Sequence, residues 1–231
     1  MPRLLRAVAV AVALTACVAG TTSCESEGQP RVPRTEPLTE ADLRSVLLPD
    51  YVVETRVPSP DTGPVSELGP GSPEACGALV DFQPGRVRQW PMARVTAQEL
   101  PLHDNNPDFA MALSSYTVQE ASAVMDSLKK AVPLCGTFLL HTPAAGVQDR
   151  PVRVGERPAP SDGDDAVAFD WVPDISMTGS VPITVVRTGG VIATYHGPVR
   201  AAIPRKQHET LRAFIAGTRP CPPRRPPRRC R

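Results

Sequence analysis

The segment of residues 109–135 constrains the fold of this chain most, because it predicts a strand, a helix cap and a helix in immediate succession. Small and apolar residues at 109–116 are typical of a strand. Thr117 then lies three residues before Glu120, the spacing of a capping box. The predicted helix, about 118–135, carries one apolar stripe at helical period, formed by Ala121, Val124, Met125, Leu128, Val132 and Cys135.

The rest of the chain predicts further strands, with helices set apart from them. The predicted strands are 51–57, 93–100, 138–141, 151–154, 166–171 and a hairpin of 183–187 and 191–196. Short helices are expected at 40–47 and 74–80, separated by a Gly/Pro-rich loop at 59–73, and a last helix opens at Pro204 and ends at Gly217. This pattern predicts a single α+β domain, in which the main helix and the C-terminal helix pack on a central antiparallel sheet.

The N-terminus has the layout of an export signal. Arg3 and Arg6 precede a small apolar run at 7–16, which is about half of the ~20 residues that a membrane span needs. Cys17 follows Leu-Thr-Ala directly, and this sequence resembles a bacterial lipobox. We therefore expect a lipoprotein signal peptide at 1–16 and a mature protein held to membrane lipid through Cys17, on the outer face of the cell membrane. The alternative is an ordinary signal peptide, with Cys17 incidental.

Composition separates the remaining chain into a tether, a domain and a tail. Residues 17–37 are small and polar and predict a disordered tether, residues 38–217 the α+β domain, and residues 218–231 a disordered Arg/Pro-rich tail. Two arginines lie in the signal and six in the tail, with no acid in either, which leaves 17 basic against 24 acidic residues between them. A body of net charge −7 argues against nucleic acid as a partner.

No catalytic, metal or cofactor motif is recognisable in the sequence. The chain contains no Gly-x-Ser-x-Gly, no His-Glu-x-x-His and no phosphate-binding glycine loop, and no two cysteines stand at CxxC spacing. The His103–Asp108 loop and the segment 161–165 read as turns. His196, at the end of a predicted strand, is expected to be half-exposed, and His208 is expected on a solvated helix face. We predict a protein without catalytic residues, metal or cofactor, whose ligand-binding residues the sequence does not identify.

The order of elements resembles the PknH-like extracellular domain family, which includes the outer sensor domain of an actinobacterial serine/threonine kinase and many free lipoproteins. The matching segments are Glu74-Ala-Cys76, residues 114–135, residues 163–169, the hairpin at 185–192 and the closing helix, together spanning about 38–217. The resemblance implies an α+β fold with a groove beside the sheet, a role in binding a cell-envelope ligand, and no catalytic residues. One feature departs from the family, since residues 138–196 lack its frequent second cysteine pair.

Cys76 and Cys135 are predicted to form a disulfide, because both fall inside the domain and Cys135 lies on the apolar stripe of the main helix. The resemblance supports this pairing, and two free buried thiols are the alternative. The pairing of Cys24, Cys221 and Cys230 stays open. Three functions are compatible with the sequence: a sensor-like domain that binds an unknown envelope ligand, a structural or protein-partner lipoprotein, and a hydrolase with an unrecognised site.

Overall fold

The computed structural model describes residues 36–48, 51–53, 66–82, 93–99, 110–144, 146–173 and 179–218. The predicted signal peptide, Cys17, almost all of the predicted tether and the tail beyond Thr218 lie outside the described residues, and so do His103 and its loop. Within the described ranges, no helix combines the length and the apolarity that a bilayer span requires.

Nine strands form one sheet in the described part of the chain. They are β1 (Tyr51–Val53), β2 (Glu67–Leu68), β3 (Ala93–Glu99), β4 (Ala110–Ser115), β5 (Thr137–His141), β6 (Arg150–Arg157), β7 (Asp165–Pro173), β8 (Val181–Thr188) and β9 (Val191–His196). Their order across the sheet is β1-β3-β4-β9-β8-β7-β6-β5-β2, and every neighbouring pair is antiparallel. The predicted α+β class with a central antiparallel sheet is confirmed.

The described residues form four helices, and all but the last begin where the sequence predicts. They are α1 (Glu40–Ser45), α2 (Gly77–Val80), which continues a 3₁₀ turn at Glu74–Cys76, α3 (Val118–Leu134) and α4 (Ala202–Ile215). The capping box predicted for α3 is formed, since Thr117 accepts from the backbone N–H of Glu120 and the Glu120 carboxylate accepts from that of Thr117. Thr39 and Asp42 form the same box at α1.

Two hydrophobic cores lie on opposite faces of the sheet. Side chains alternate between the faces of a strand, and Val185 belongs to one core whereas its neighbour Val186 belongs to the other. The first core packs the sheet against α2 and α3, through residues such as Leu79 and Met125. The second packs the sheet against α1 and α4, through residues such as Leu43, Leu211, Leu113 and Tyr195. The main helix and the C-terminal helix therefore cover different faces.

Three details differ from the sequence predictions. The two-residue strand β2 lies inside the predicted Gly/Pro loop, and such a short strand has no periodicity to reveal it. Helix α4 begins two residues before Pro204, which is tolerated because the first-turn N–H groups have no partner inside a helix. Gly217 closes α4 with φ of 72° as predicted, and the N–H of Thr218 returns to the carbonyl of Ala213.

Candidate functional site

One region of the α3-facing side of the sheet is polar instead of apolar. Ser114 on β4 lies directly opposite Arg94 on β3 and Ile192 on β9. Because side chains alternate along a strand, Thr194 and His196 share this face with Ile192, and Tyr116 reaches it from just beyond β4. We call Arg94, Ser114, Tyr116, Thr194 and His196 the polar cluster.

Four members of the polar cluster are buried. Their exposed fractions are 4% for Ser114, 5% for Tyr116, 2% for Thr194 and 9% for His196, and Arg94 is partly buried. Buried polar groups are costly unless they have hydrogen-bond partners, so a group of five on one sheet face requires an explanation beyond packing. Over β5 to β8 this face is mainly apolar and contacts α2 and α3. The exceptions are Arg187 on β8 and Asp165 on β7, in the same row as Ile192, and Lys129 of α3 pairs with Asp165.

His196 is held as a neutral imidazole. Its pKa is lowered to about 4, mainly by burial and also by the nearby charge of Arg94, although a hydrogen bond to the Phe82 carbonyl acts in the opposite direction. Its Nε2 lies 3.3 Å from that carbonyl oxygen, which can only accept, so Nε2 donates. The prediction of a half-exposed histidine was wrong, because the turn that ends α2 brings the Phe82 carbonyl against the ring.

Tyr116 is held as a neutral phenol. Its pKa is raised to about 12, mainly by burial and also by the charge of Asp81, although Arg94 and a hydrogen bond with Ser114 oppose the increase. The backbone of Tyr116 is fixed at the same time, since its N–H donates to the carbonyl of Gly190 at 2.8 Å. Tyr116 therefore offers a hydroxyl group in a defined position and carries no charge at neutral pH.

Arg94 provides the positive charge of the polar cluster. Its pKa is lowered by burial, and its Nε is buried with no hydrogen-bond partner among the described residues. None of the ion pairs within the described ranges involves Arg94, whereas Arg187 lies 3.8 Å from the carboxylate of Asp164 and donates to the carbonyl of Gly189. The Nε–H of this guanidinium is therefore a donor without a described acceptor, and guanidinium donors match the oxygens of an anion in geometry and charge.

Within the polar cluster, Ser114 and His196 are too far apart to act as a nucleophile and its general base. Ser114 is opposite Ile192, and His196 is four residues further along the same strand, which corresponds to about 13 Å. A hydroxyl and its general base must lie within about 3 Å of each other. No group of three or more His, Cys, Asp or Glu side chains within the described ranges is arranged to hold a metal ion. The geometry is suited to binding through hydrogen bonds and one charge.

Cys76 and Cys135, the residues predicted to pair, are joined by a disulfide in the structure, with Cα atoms 5.6 Å apart. Both are fully buried in the first core, where the bond ties the 3₁₀ turn to the C-terminal end of α3. The bond therefore fixes the segment that ends at Phe82, the residue whose carbonyl contacts His196. Cys17, Cys24, Cys221 and Cys230 lie outside the described residues.

The family resemblance predicts a preformed groove beside the sheet. One cavity lined by described residues does not match this prediction. That cavity has a volume of about 40 Å³ and lies near Leu38, Ser115 and Gly190, on the side where the chain enters the domain. Pockets for small molecules usually measure about 300–1,000 Å³, so this cavity is too small for such a ligand.

The sequence contains a signal for the polar cluster that the search for motifs missed. In β4 and towards the end of β9, polar or small residues on one face alternate with apolar ones on the other, as in Ser114 against Leu113 and in Thr194 and His196 against Tyr195. Recognising the cluster also requires the pairing of β3 with β4 and of β4 with β9, which periodicity does not reveal.

No protein-family model and no curated protein matches the sequence. One solved structure that is similar is the crystal structure of the extracellular domain of PknH from Mycobacterium tuberculosis. It aligns with 80% of this chain and 100% of its own, with a TM-score of 0.45 and 11% sequence identity. The resemblance expected from the sequence extends to this weak structural match, and membership of the family stays a prediction. No function or site is inferred from the match.

Proposed function

We propose that this chain is a membrane-tethered lipoprotein whose domain, on the outer face of the cell membrane, binds a ligand without transforming it. The observation that carries the proposal is the polar cluster, in which an arginine and four buried polar side chains share one sheet face. A fold assembled only for stability gains little from such a group, since burial of polar side chains is at best weakly favourable.

The chemistry of the polar cluster favours binding over catalysis. His196 and Tyr116 are both neutral, and Ser114 lies about 13 Å along the sheet from His196, so the members present donors and acceptors but no activated nucleophile.

The ligand-binding part of the proposal is tested by native mass spectrometry of the full-length protein purified from its own membranes. We expect a species heavier than the lipidated protein by one small molecule, and we expect the heavier species to melt at a higher temperature. A purified protein that carries no additional mass and shows no thermal response to any added compound would contradict binding and favour a structural role.

The anchoring part rests on Leu14-Thr15-Ala16-Cys17. Stable anchoring requires two or more acyl chains, and a lipidated N-terminal cysteine supplies them. We predict that Cys17→Ser releases the protein from the membrane fraction or leaves it at precursor size on a gel. Cys24→Ser is the matched control and should remain membrane-bound at mature size. A Cys17→Ser protein that is processed and still fractionates with membranes would contradict the prediction.

A further inference from the structure

We infer that Arg94 binds the carboxylate group of a small organic ligand at the polar cluster, an inference that rests on the ligand-binding function proposed above. The Nε of Arg94 is buried without a described partner, and Ser114 lies directly opposite on the neighbouring strand. A guanidinium presents its N–H groups in a planar fork that matches the two oxygens of a carboxylate.

The charge of the site selects for a single negative charge. Arg94 is the cation of the cluster, while His196 is neutral and adds a hydrogen-bonding ring without charge. Asp81 acts electrostatically on Tyr116 and so places a negative charge at the border of the cluster. Arg187 shares this face, opposite Ile192, but its charge is paired with Asp164. A carboxylate carries one charge, whereas a phosphate monoester carries about two at neutral pH, so its second charge would meet repulsion from Asp81 without an unpaired cation to offset it.

The remaining members of the cluster define what surrounds the carboxylate. Ser114 and Tyr116 hydrogen-bond to each other, and their hydroxyl groups stand beside Arg94 on the same face. Ala112, which is 3% exposed, lies directly opposite Thr194 and contributes only a methyl group to this face. The structure therefore combines a charged fork, neutral hydroxyl donors and a small apolar surface.

The test uses the purified full-length protein and paired probes: acetate, hexanoate and benzoate, their amides acetamide, hexanamide and benzamide, and inorganic phosphate. We expect at least one carboxylate to raise the melting temperature, whereas its amide and phosphate leave it unchanged. Equal responses to a carboxylate and its amide, a preference for phosphate, or no response to any carboxylate would overturn the inference. This comparison requires no variant.

Variants then assign the effect to Arg94. For the carboxylate that binds best, Arg94→Gln should weaken the dissociation constant measured by calorimetry by about tenfold or more, because a charge-assisted hydrogen bond is lost. Arg94→Lys keeps the charge but loses the planar fork, so its dissociation constant should lie between those of the wild type and Arg94→Gln. Arg153→Gln is the matched control, an exposed strand arginine on β6 that should bind as the wild type does. Unchanged affinity in Arg94→Gln would overturn the inference.

The identity of any co-purified molecule separates this inference from the proposed function. A bound molecule that contains a carboxylate supports both. A bound molecule without one keeps the ligand-binding function and overturns the role assigned to Arg94. If no molecule co-purifies and no probe changes the melting temperature, both are overturned.

Discussion

At the scale of single residues, His196 couples the stability of the domain to pH. Its pKa is about 4 in the folded protein and 6.5 when unperturbed, so the unfolded chain takes up a proton before the folded chain does. The free energy of unfolding therefore falls as pH falls from 6.5 towards 4. The structural cause is the burial of the ring beneath the Phe82 carbonyl, beside the charge of Arg94.

We predict that His196 accounts for a loss of about 2 kcal/mol of stability between about pH 7 and about pH 5. Urea unfolding of the wild type at both pH values gives the total loss, and His196→Gln should show a smaller loss by about that amount. Identical pH dependence in the two proteins would contradict the prediction, because it would show that folding does not lower the pKa of His196.

Gln207 illustrates why single residues of the core are hard to predict. It lies on α4, where an amphipathic pattern assigns glutamine to the solvent, yet it is fully buried and its Nε2 donates to the carbonyl of Val46 at 2.9 Å. The Val46 carbonyl lies at the end of α1, where helix carbonyls lack a partner within the helix. The Gln207 side chain supplies that hydrogen bond from a position more than 150 residues away in the chain. No local pattern contains this information.

At the scale of elements, the turn between β8 and β9 is in contact with the start of α3. Gly189 and Gly190 form the two-residue connection, Gly189 has φ of 57°, and the Gly190 carbonyl accepts from the N–H of Tyr116. A Cβ built on Gly190 would overlap the carbonyl oxygen of Tyr116, which is backbone and cannot rotate away. The hairpin therefore needs glycine at this position for a reason outside the hairpin itself.

We predict that Gly190→Ala lowers the free energy of unfolding by about 1–3 kcal/mol, because the two backbones must separate to accommodate the methyl group. Gly77→Ala is the matched control, since a Cβ at Gly77 meets nothing within 4 Å and the residue lies in α2, where alanine is the better helix former. Denaturant unfolding of both proteins measures the difference. A Gly190→Ala protein as stable as the control would contradict the close approach.

Elements that depend on local chemistry were predictable, and their positions in the sheet were not. The capping boxes at Thr39 and Thr117 and the Gly-Gly turn are encoded within a few residues, and each is present in the structure. The neighbours of β4 are instead β3 and β9, and β9 is about 80 residues away in the chain. The polar cluster depends on those two pairings, so the sequence did not predict it, although the sequence did place His196 at the end of a strand.

At the scale of the whole molecule, the disulfide between Cys76 and Cys135 limits the freedom of the unfolded chain. The two residues are 59 positions apart, and a closed loop of this length stabilises the folded state by about 4 kcal/mol through lost chain entropy. The whole domain is expected to have a net stability of about 5–15 kcal/mol. The bond is therefore expected to be a large part of the net stability of the domain.

We predict that replacing both residues by alanine lowers the free energy of unfolding by about 4 kcal/mol and makes stability insensitive to a reducing agent. The wild type under the same reducing agent should lose a similar amount, and it provides the internal control because its sequence is unchanged. A wild-type protein whose unfolding curve is the same with and without reduction would show that the bond contributes little to stability.

The position of β9 has a consequence for the timing of folding. This strand, Val191–His196, lies in the interior of the sheet between β4 and β8, yet it is the last of the described strands in chain order. The strands β3 and β4, made about 80 residues earlier, have no partner on that side until β9 emerges, and contacts this distant form slowly. Until β9 has been made, β3 and β4 therefore cannot join the other strands of the sheet, and a chain whose sheet is incomplete in this way can still be threaded across a membrane.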